Sequence, residues 1–104
     1  MPNETPEPPT GPEANVILVG KKPALIYAVA TLSQLNQGGS EVRIRARGKA
    51  ISHAIDVVEI LKRRFLGDRL RVNEIKLDTE TMPPREGFGP RNVSTIEIVL
   101  GKAD

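Results

Sequence analysis

Cysteine is absent from the 104-residue chain. That excludes disulfides and thiolate metal sites together. Tryptophan is absent too, and one tyrosine and two phenylalanines are the only aromatic residues. Tyr27 and Phe65 fall in helical patterns, so no strand carries the rings on which RRM and OB folds stack bases. The single histidine, His53, has no second ligand and no fixed base partner, and reads as a solvated helix residue. Ser52 and Asp56 stand four apart, but Ser52 suits the first turn of a helix. Asp56 and Glu59 with Lys62 and Arg63 suit surface pairs. No nucleophile, base and orienting group come together, so an enzyme is not expected, nor a metal or cofactor. The apolar runs, Val16 to Val19 among them, are far too short to span a bilayer. The N-terminus lacks the basic start and apolar stretch of a secretory signal. An intracellular, cytoplasmic protein without membrane contact is the expectation.

Charge is present and unevenly placed. The formal net charge is +2, from 15 Lys and Arg against 13 Asp and Glu. Glu4, Glu7 and Glu13 lie in the first fourteen residues, which hold no cation; the remainder carries 15 basic against 10 acidic side chains, or +5. That balance favours nucleic acid or an acidic surface as partner. The same fourteen residues contain five prolines (Pro2, Pro6, Pro8, Pro9, Pro12). Such a segment cannot build a ladder or bury enough surface to offset its ordering entropy. Residues 1–14 therefore read as a disordered, extended tail, with a ligand for a proline-binding module as a lesser alternative. Residues 15–104 read as one domain.

Periodicity divides that domain into six elements in the order βαβαββ. Asn15 to Val19 is a short buried strand. Gly20, Lys21 and Lys22 make a turn, and Pro23 opens a helix at its first position, where a missing N–H costs nothing. The helix runs to about Asn36 with Leu25, Ile26, Val29, Leu32 and Leu35 as its apolar side. Glu41 to Arg47 is a strand. A second helix runs from about Ala50 to Phe65 on Ile51, Ala54, Ile55, Val58, Leu61 and Phe65. Leu70 to Glu80 and Val93 to Leu100 complete the set. The alternation slips between Val72 and Ile75, which predicts a bulge. A right-handed βαβ start places both helices on one face of a mixed four-stranded sheet, an α/β two-layer sandwich. Val72, Ile75 and Leu77 cannot all face one way on a regular strand. Part of that apolar surface, with Val99, is thus the candidate contact between two copies.

Three basic features stand out. Residues 42–49 read Val-Arg-Ile-Arg-Ala-Arg-Gly-Lys. Val42, Ile44 and Ala46 face a core, while Arg43, Arg45 and Arg47 face away, and Lys49 extends the row. Three guanidinium groups on one face suit a polyanion, the alternative being an ordinary solvated face. Lys21 and Lys22 lie at the start of a helix, where free N–H groups and the dipole favour an anion. They are not a Walker loop, because the spaced glycines and the Lys-Ser/Thr ending are missing. Residues 81–92 are too long for a hairpin turn and carry Arg85 and Arg91 among prolines and glycines. They read equally as a minor-groove probe and as a mobile loop. Phe88 is an exposed loop aromatic or a wedge between base steps.

Gly20-Lys21-Lys22-Pro23 after a short strand, Ala46-Arg47-Gly48-Lys49-Ala50-Ile51-Ser52 opening a second helix, and Ser94-Thr95-Ile96-Glu97-Ile98 in the last strand together resemble the Alba family of archaeal nucleic-acid-binding proteins. The resemblance spans roughly residues 15 to 100. It implies a fold similar to the C-terminal domain of translation initiation factor three. It implies a homodimer that coats and compacts double-stranded DNA with little sequence preference, as a chromosomal protein, and also binds RNA. Lys21 and Lys22 would contact nucleic acid and be candidates for acetylation, reversed by a deacetylase. Arg45, Arg47 and Lys49 would share that surface, and the arm with Arg85 and Arg91 would follow the minor groove. Phe65, which on the residues alone ends a core stripe, would lie between neighbouring dimers. A paralogue is a candidate second subunit. An RNA-processing role and a scaffold for an acidic protein are the alternatives. The proline-rich tail is no part of the motif set.

Overall fold

The computed structural model describes residues 15–38, 41–84, 87 and 89–103. The tail, Arg85 and Phe88 lie outside the described residues. The strands are β1 (Val16–Leu18), β2 (Val42–Arg47), β3 (Leu70–Met82) and β4 (Arg91–Lys102), and the helices are α1 (Ala24–Asn36) and α2 (Ala50–Ile60). A π-helical turn, Leu61–Leu66, continues α2, and a 3-10 turn, Gly67–Arg69, leads into β3. The sheet order is β1-β2-β4-β3. β1 pairs with β2 in parallel, and the other pairings are antiparallel. This is the expected βαβαββ mixed sheet.

Alternation in β2 does what period two requires. Val42, Ile44 and Ala46 are buried and lie opposite Leu100, Ile98 and Ile96 of β4. Ala28, Leu35, Ala54, Val57, Leu61 and Leu66 from the helical segments join that core. The other side of the sheet is open and carries Arg43, Arg45 and Arg47.

Pro23 sits one residue earlier than expected. It is the N-cap of α1, with extended backbone, and its carbonyl accepts the Ile26 N–H at 3.0 Å. The apolar side of α1 is only partly the expected one, with Leu35 in the core and Leu32 packed against it. Ala28, Thr31 and Leu35 are buried, while Leu25, Ile26 and Val29 are about half exposed. Small residues let one helix approach its neighbours closely, and hydrophobicity alone could not distinguish that stripe. Thr31 is tolerated because its hydroxyl donates to the Tyr27 carbonyl at 2.8 Å.

The end of α2 departs from expectation in an informative way. After Leu61, ordinary helical spacing would bring Phe65 back onto the core. The π turn widens the spacing to five, so Leu66 takes that place and is buried, while Phe65 is 41% exposed. Ile55, also expected inside, is exposed.

The slip in β3 is a bulge between Val72 and Glu74. Its effect corrects the expectation that Val72, Ile75 and Leu77 diverge. They lie opposite Leu100, Ile98 and Ile96, so all three point to the helix side. β3 is an edge strand, and these side chains remain uncovered, Ile75 at 56% and Leu77 at 75% exposure. Val99, by contrast, is buried at 2%, opposite Arg43 and Glu74 on the open side, and is not available to a second copy. The long connection is shorter than it reads in sequence. Thr81 and Met82 pair with Asn92 and Arg91, so the β3–β4 ladder extends into it.

Candidate nucleic-acid interface

The turn between β2 and α2 brings the basic features together. Gly48 has φ +58°, and its N–H donates to the Ser94 carbonyl at 2.8 Å while its carbonyl accepts the Ile51 N–H at 3.1 Å. A left-handed backbone at this position favours glycine. The reversal leaves Arg47 and Lys49 exposed on either side of the turn. One concavity beside them, of about 540 Å³, is lined by Gly20, Lys21, Arg47, Lys49, Ser52 and His53 among others. A second, of about 680 Å³, takes in Arg47, Lys49, Met82, Arg91 and Asn92. Arg47 and Lys49 therefore link the lysine turn to the base of the β3–β4 arm. Lys21, Arg47, Lys49 and Arg91 fall along one edge of the molecule, with Lys22 on the same turn as Lys21. Arg85 lies outside the described residues.

The start of α2 adds to this edge. No side chain caps it, and its first turn holds no acidic residue. Ser52, expected to serve that turn, is exposed in the first concavity. A helix start with a lysine at the cap position and no carboxylate of its own leaves its dipole end open to an external anion.

The lysine turn itself is held in place by groups that sequence reasoning did not single out. The Tyr27 hydroxyl accepts the N–H of Gly20 at 2.9 Å and of Lys22 at 3.2 Å. His53 Nε2–H donates to the Lys22 carbonyl at 2.5 Å, and its ring meets Tyr27 edge-on with centroids 6.1 Å apart. Two backbone amides of the turn are thus committed to a side chain. His53, expected to be merely solvated, braces the turn from α2. The side chains of Lys21, Lys22, Lys49 and Arg91 pair with no carboxylate among the described residues.

The arginine row of β2 is not uniform. Glu97 of β4 lies opposite Arg45 and, on its other side, opposite Lys76 of β3. Arg45 Nε donates to its Oε1 at 2.6 Å and Arg43 to its Oε2 at 2.9 Å, with Lys76 Nζ 3.7 Å away. Glu41 stands 3.8 Å from Arg43. The Glu97 side chain is only 16% exposed. Burial alone would raise its pKa. Hydrogen bonds from Arg45 and Arg43, and the charges of Arg45 and Lys76, outweigh that and hold it below the usual carboxylate value. A depressed carboxylate adds stability that is complete above its unfolded-state pKa and is lost as pH falls through the folded one, so this cluster loosens only in acid. Arg47 is different: 63% exposed, it meets Glu80 at 3.6 Å, a surface pair of little strength. Of the three arginines, Arg47 is the one the fold delivers to the basic edge, while Arg43 and Arg45 belong to the Glu97 cluster.

A family model described as Alba matches residues 15–79. The DNA/RNA-binding protein Alba of Methanothrix thermoacetophila is 52% identical over 90 residues, a match covering 86% of this chain and 98% of that protein. The solved structure of Alba from Thermoplasma volcanium superposes with a TM-score of 0.76 at 45% identity, covering 85% of this chain and 100% of that one. ALBA1 from Trypanosoma brucei gives a TM-score of 0.69 at 32% identity, over 86% of this chain and 70% of that one.

Proposed function

The chain belongs to the Alba family, and from that premise we propose that it binds nucleic acid through the edge carrying Lys21, Lys22, Arg47, Lys49 and Arg91, coating duplex DNA as a homodimer and also taking RNA. The observation that carries this reading is the linkage made by Arg47 and Lys49, which line the concavities on both sides and join three separate basic segments into one surface. Lysine and arginine aimed at phosphates position a protein on a duplex without reading its sequence. Neither helix presents a basic face along its length that would fit a major groove. Affinity with little sequence preference follows. The resemblance extends the proposal to acetylation of Lys21 or Lys22, with a deacetylase restoring the charge, to a paralogue as alternative subunit, and to a chromosome-associated location in the cytoplasm. Arg85 is assigned to the arm on the sequence alone.

Competition binding tests the proposal. Random-sequence duplex DNA should displace labelled duplex readily, duplex RNA measurably, and polyglutamate hardly at all. Displacement by polyglutamate as efficient as by DNA would mark an acidic protein as the partner instead. A preference for RNA over DNA would shift the role to RNA processing.

Phe65 has a separate expected role, contact between neighbouring dimers along the duplex. Phe65→Ala should leave the fold and the dimer intact and lower the cooperativity of duplex binding, read from the steepness of the binding isotherm. A buried phenylalanine costs about 3–5 kcal/mol when truncated. Because the π turn holds Phe65 outside the core, a loss of that size in a melting experiment would contradict the assignment.

A further inference from the structure

We propose that Glu97 is an internal competitor for nucleic-acid phosphate, holding Arg43, Arg45 and Lys76 along the open face of the sheet and so limiting the affinity of the interface. The inference rests on the nucleic-acid reading above and adds a residue that opposes binding. Leu18, Arg45, Glu97 and Lys76 form one row across all four strands, each opposite the next. Both oxygens of the carboxylate are used, Oε1 by Arg45 and Oε2 by Arg43 and Lys76. A carboxylate offers guanidinium groups the same charge-assisted hydrogen bonds as a phosphate does. It therefore occupies donors that a phosphate would otherwise meet.

The position of the cluster makes this more than a structural tie. A concavity of about 670 Å³ on the open face is lined by Arg45, Arg47, Lys76, Asp78, Glu80 and Glu97 among others. Three cations face three carboxylates there. Arg47 also lines both concavities of the basic edge, so the two surfaces are continuous. The edge is cationic and the adjoining face is charge-balanced, and Glu97 is the carboxylate most engaged with cations in that balance. A nucleic acid seated on the edge meets a face whose arginines are already occupied.

Glu97→Gln removes the charge and keeps the shape and one acceptor. Binding of a random-sequence duplex to the full chain should become roughly fivefold tighter at low salt. The dependence of log affinity on log salt should steepen by about 0.9 for each phosphate newly neutralised. The gain should vanish when Arg43, Arg45 and Lys76 are all alanine, because the competitor acts through them. Glu97→Met, similar in volume and uncharged, gives the same readout should the amide variant fail to fold. If Glu97 only ties the strands together, the variants lose thermal stability and gain no affinity. Unchanged or weaker binding by a variant with wild-type secondary structure would overturn the inference alone. Wild-type protein that binds no duplex at low salt would overturn the nucleic-acid reading and this inference with it.

Discussion

Raising salt from about 50 to about 200 mM should lower the affinity for duplex DNA by roughly a thousandfold. The expectation follows from how the basic edge is built. Each cation that neutralises a phosphate releases a condensed counterion, and log affinity falls with log salt by about 0.9 per phosphate. Lys21, Lys22, Arg47, Lys49 and Arg91 lie on the edge or its lysine turn, and the arm adds Arg85 from sequence. About six contacts in all, half of those a dimer offers, are enough for the loss expected. Replacing Lys21 and Lys22 together by alanine should flatten the slope by about 1.8 per protomer and weaken all duplex sequences alike. Fluorescence anisotropy across a salt series measures both. A nearly salt-independent affinity would remove the electrostatic mechanism. A change of preference at one base position in the lysine variant would show that the turn reads sequence.

The second large effect concerns assembly. Ile75→Asp with Leu77→Asp should convert a dimer into a monomer at micromolar concentration, by sedimentation, without unfolding it. The side chains lie uncovered on the helix side of β3, so the protomer core does not depend on them. In a symmetric pair each patch meets its own copy, and two substitutions act on four side chains. Burying an aliphatic side chain contributes about 1.5–3 kcal/mol. Loss of four such terms comes to roughly 6–12 kcal/mol as an upper bound, against 1.4 kcal/mol for each tenfold in Kd. That range brackets the roughly 8.2 kcal/mol that separates a nanomolar from a millimolar dimer. A doubly substituted chain that stays dimeric would place the contact elsewhere, and a wild-type chain that sediments as a monomer would overturn the dimer itself.

Much of the fold was legible because period-two and helical spacings are strong in this chain. β2 announced its two faces through Val-Arg-Ile-Arg-Ala-Arg, and the bulge in β3 was visible as a slip. The side of α1 was only partly legible. Leu35 and Leu32 lie toward the core as their spacing predicts, but Ala28 and Thr31 share that side in place of the larger Leu25, Ile26 and Val29, because close packing favours the smaller residues. Nor does residue spacing reveal a π turn, which exchanges Leu66 for Phe65. At the candidate site the basic residues were readable singly, but their partners were not. Glu97 shares the parity of Thr95 and Val99, opposite to buried Ile96 and Ile98. Pairing β2 with β4 would have set it against the arginines, yet the register that does so belongs to the folded sheet. Tyr27 and His53 meet at Lys22 only through the approach of two helices.

Tyr27 is the chain's sole tyrosine, and there is no tryptophan. Its hydroxyl is fastened to the backbone of the lysine turn. The ultraviolet emission of the unlabelled protein excited near the tyrosine maximum therefore arises at one place, the segment carrying Lys21 and Lys22. Any ligand, modification or solvent change that loosens those two hydrogen bonds alters the environment of a single chromophore. The protein thus carries its own optical gauge at the turn, one that needs no dye and no added residue.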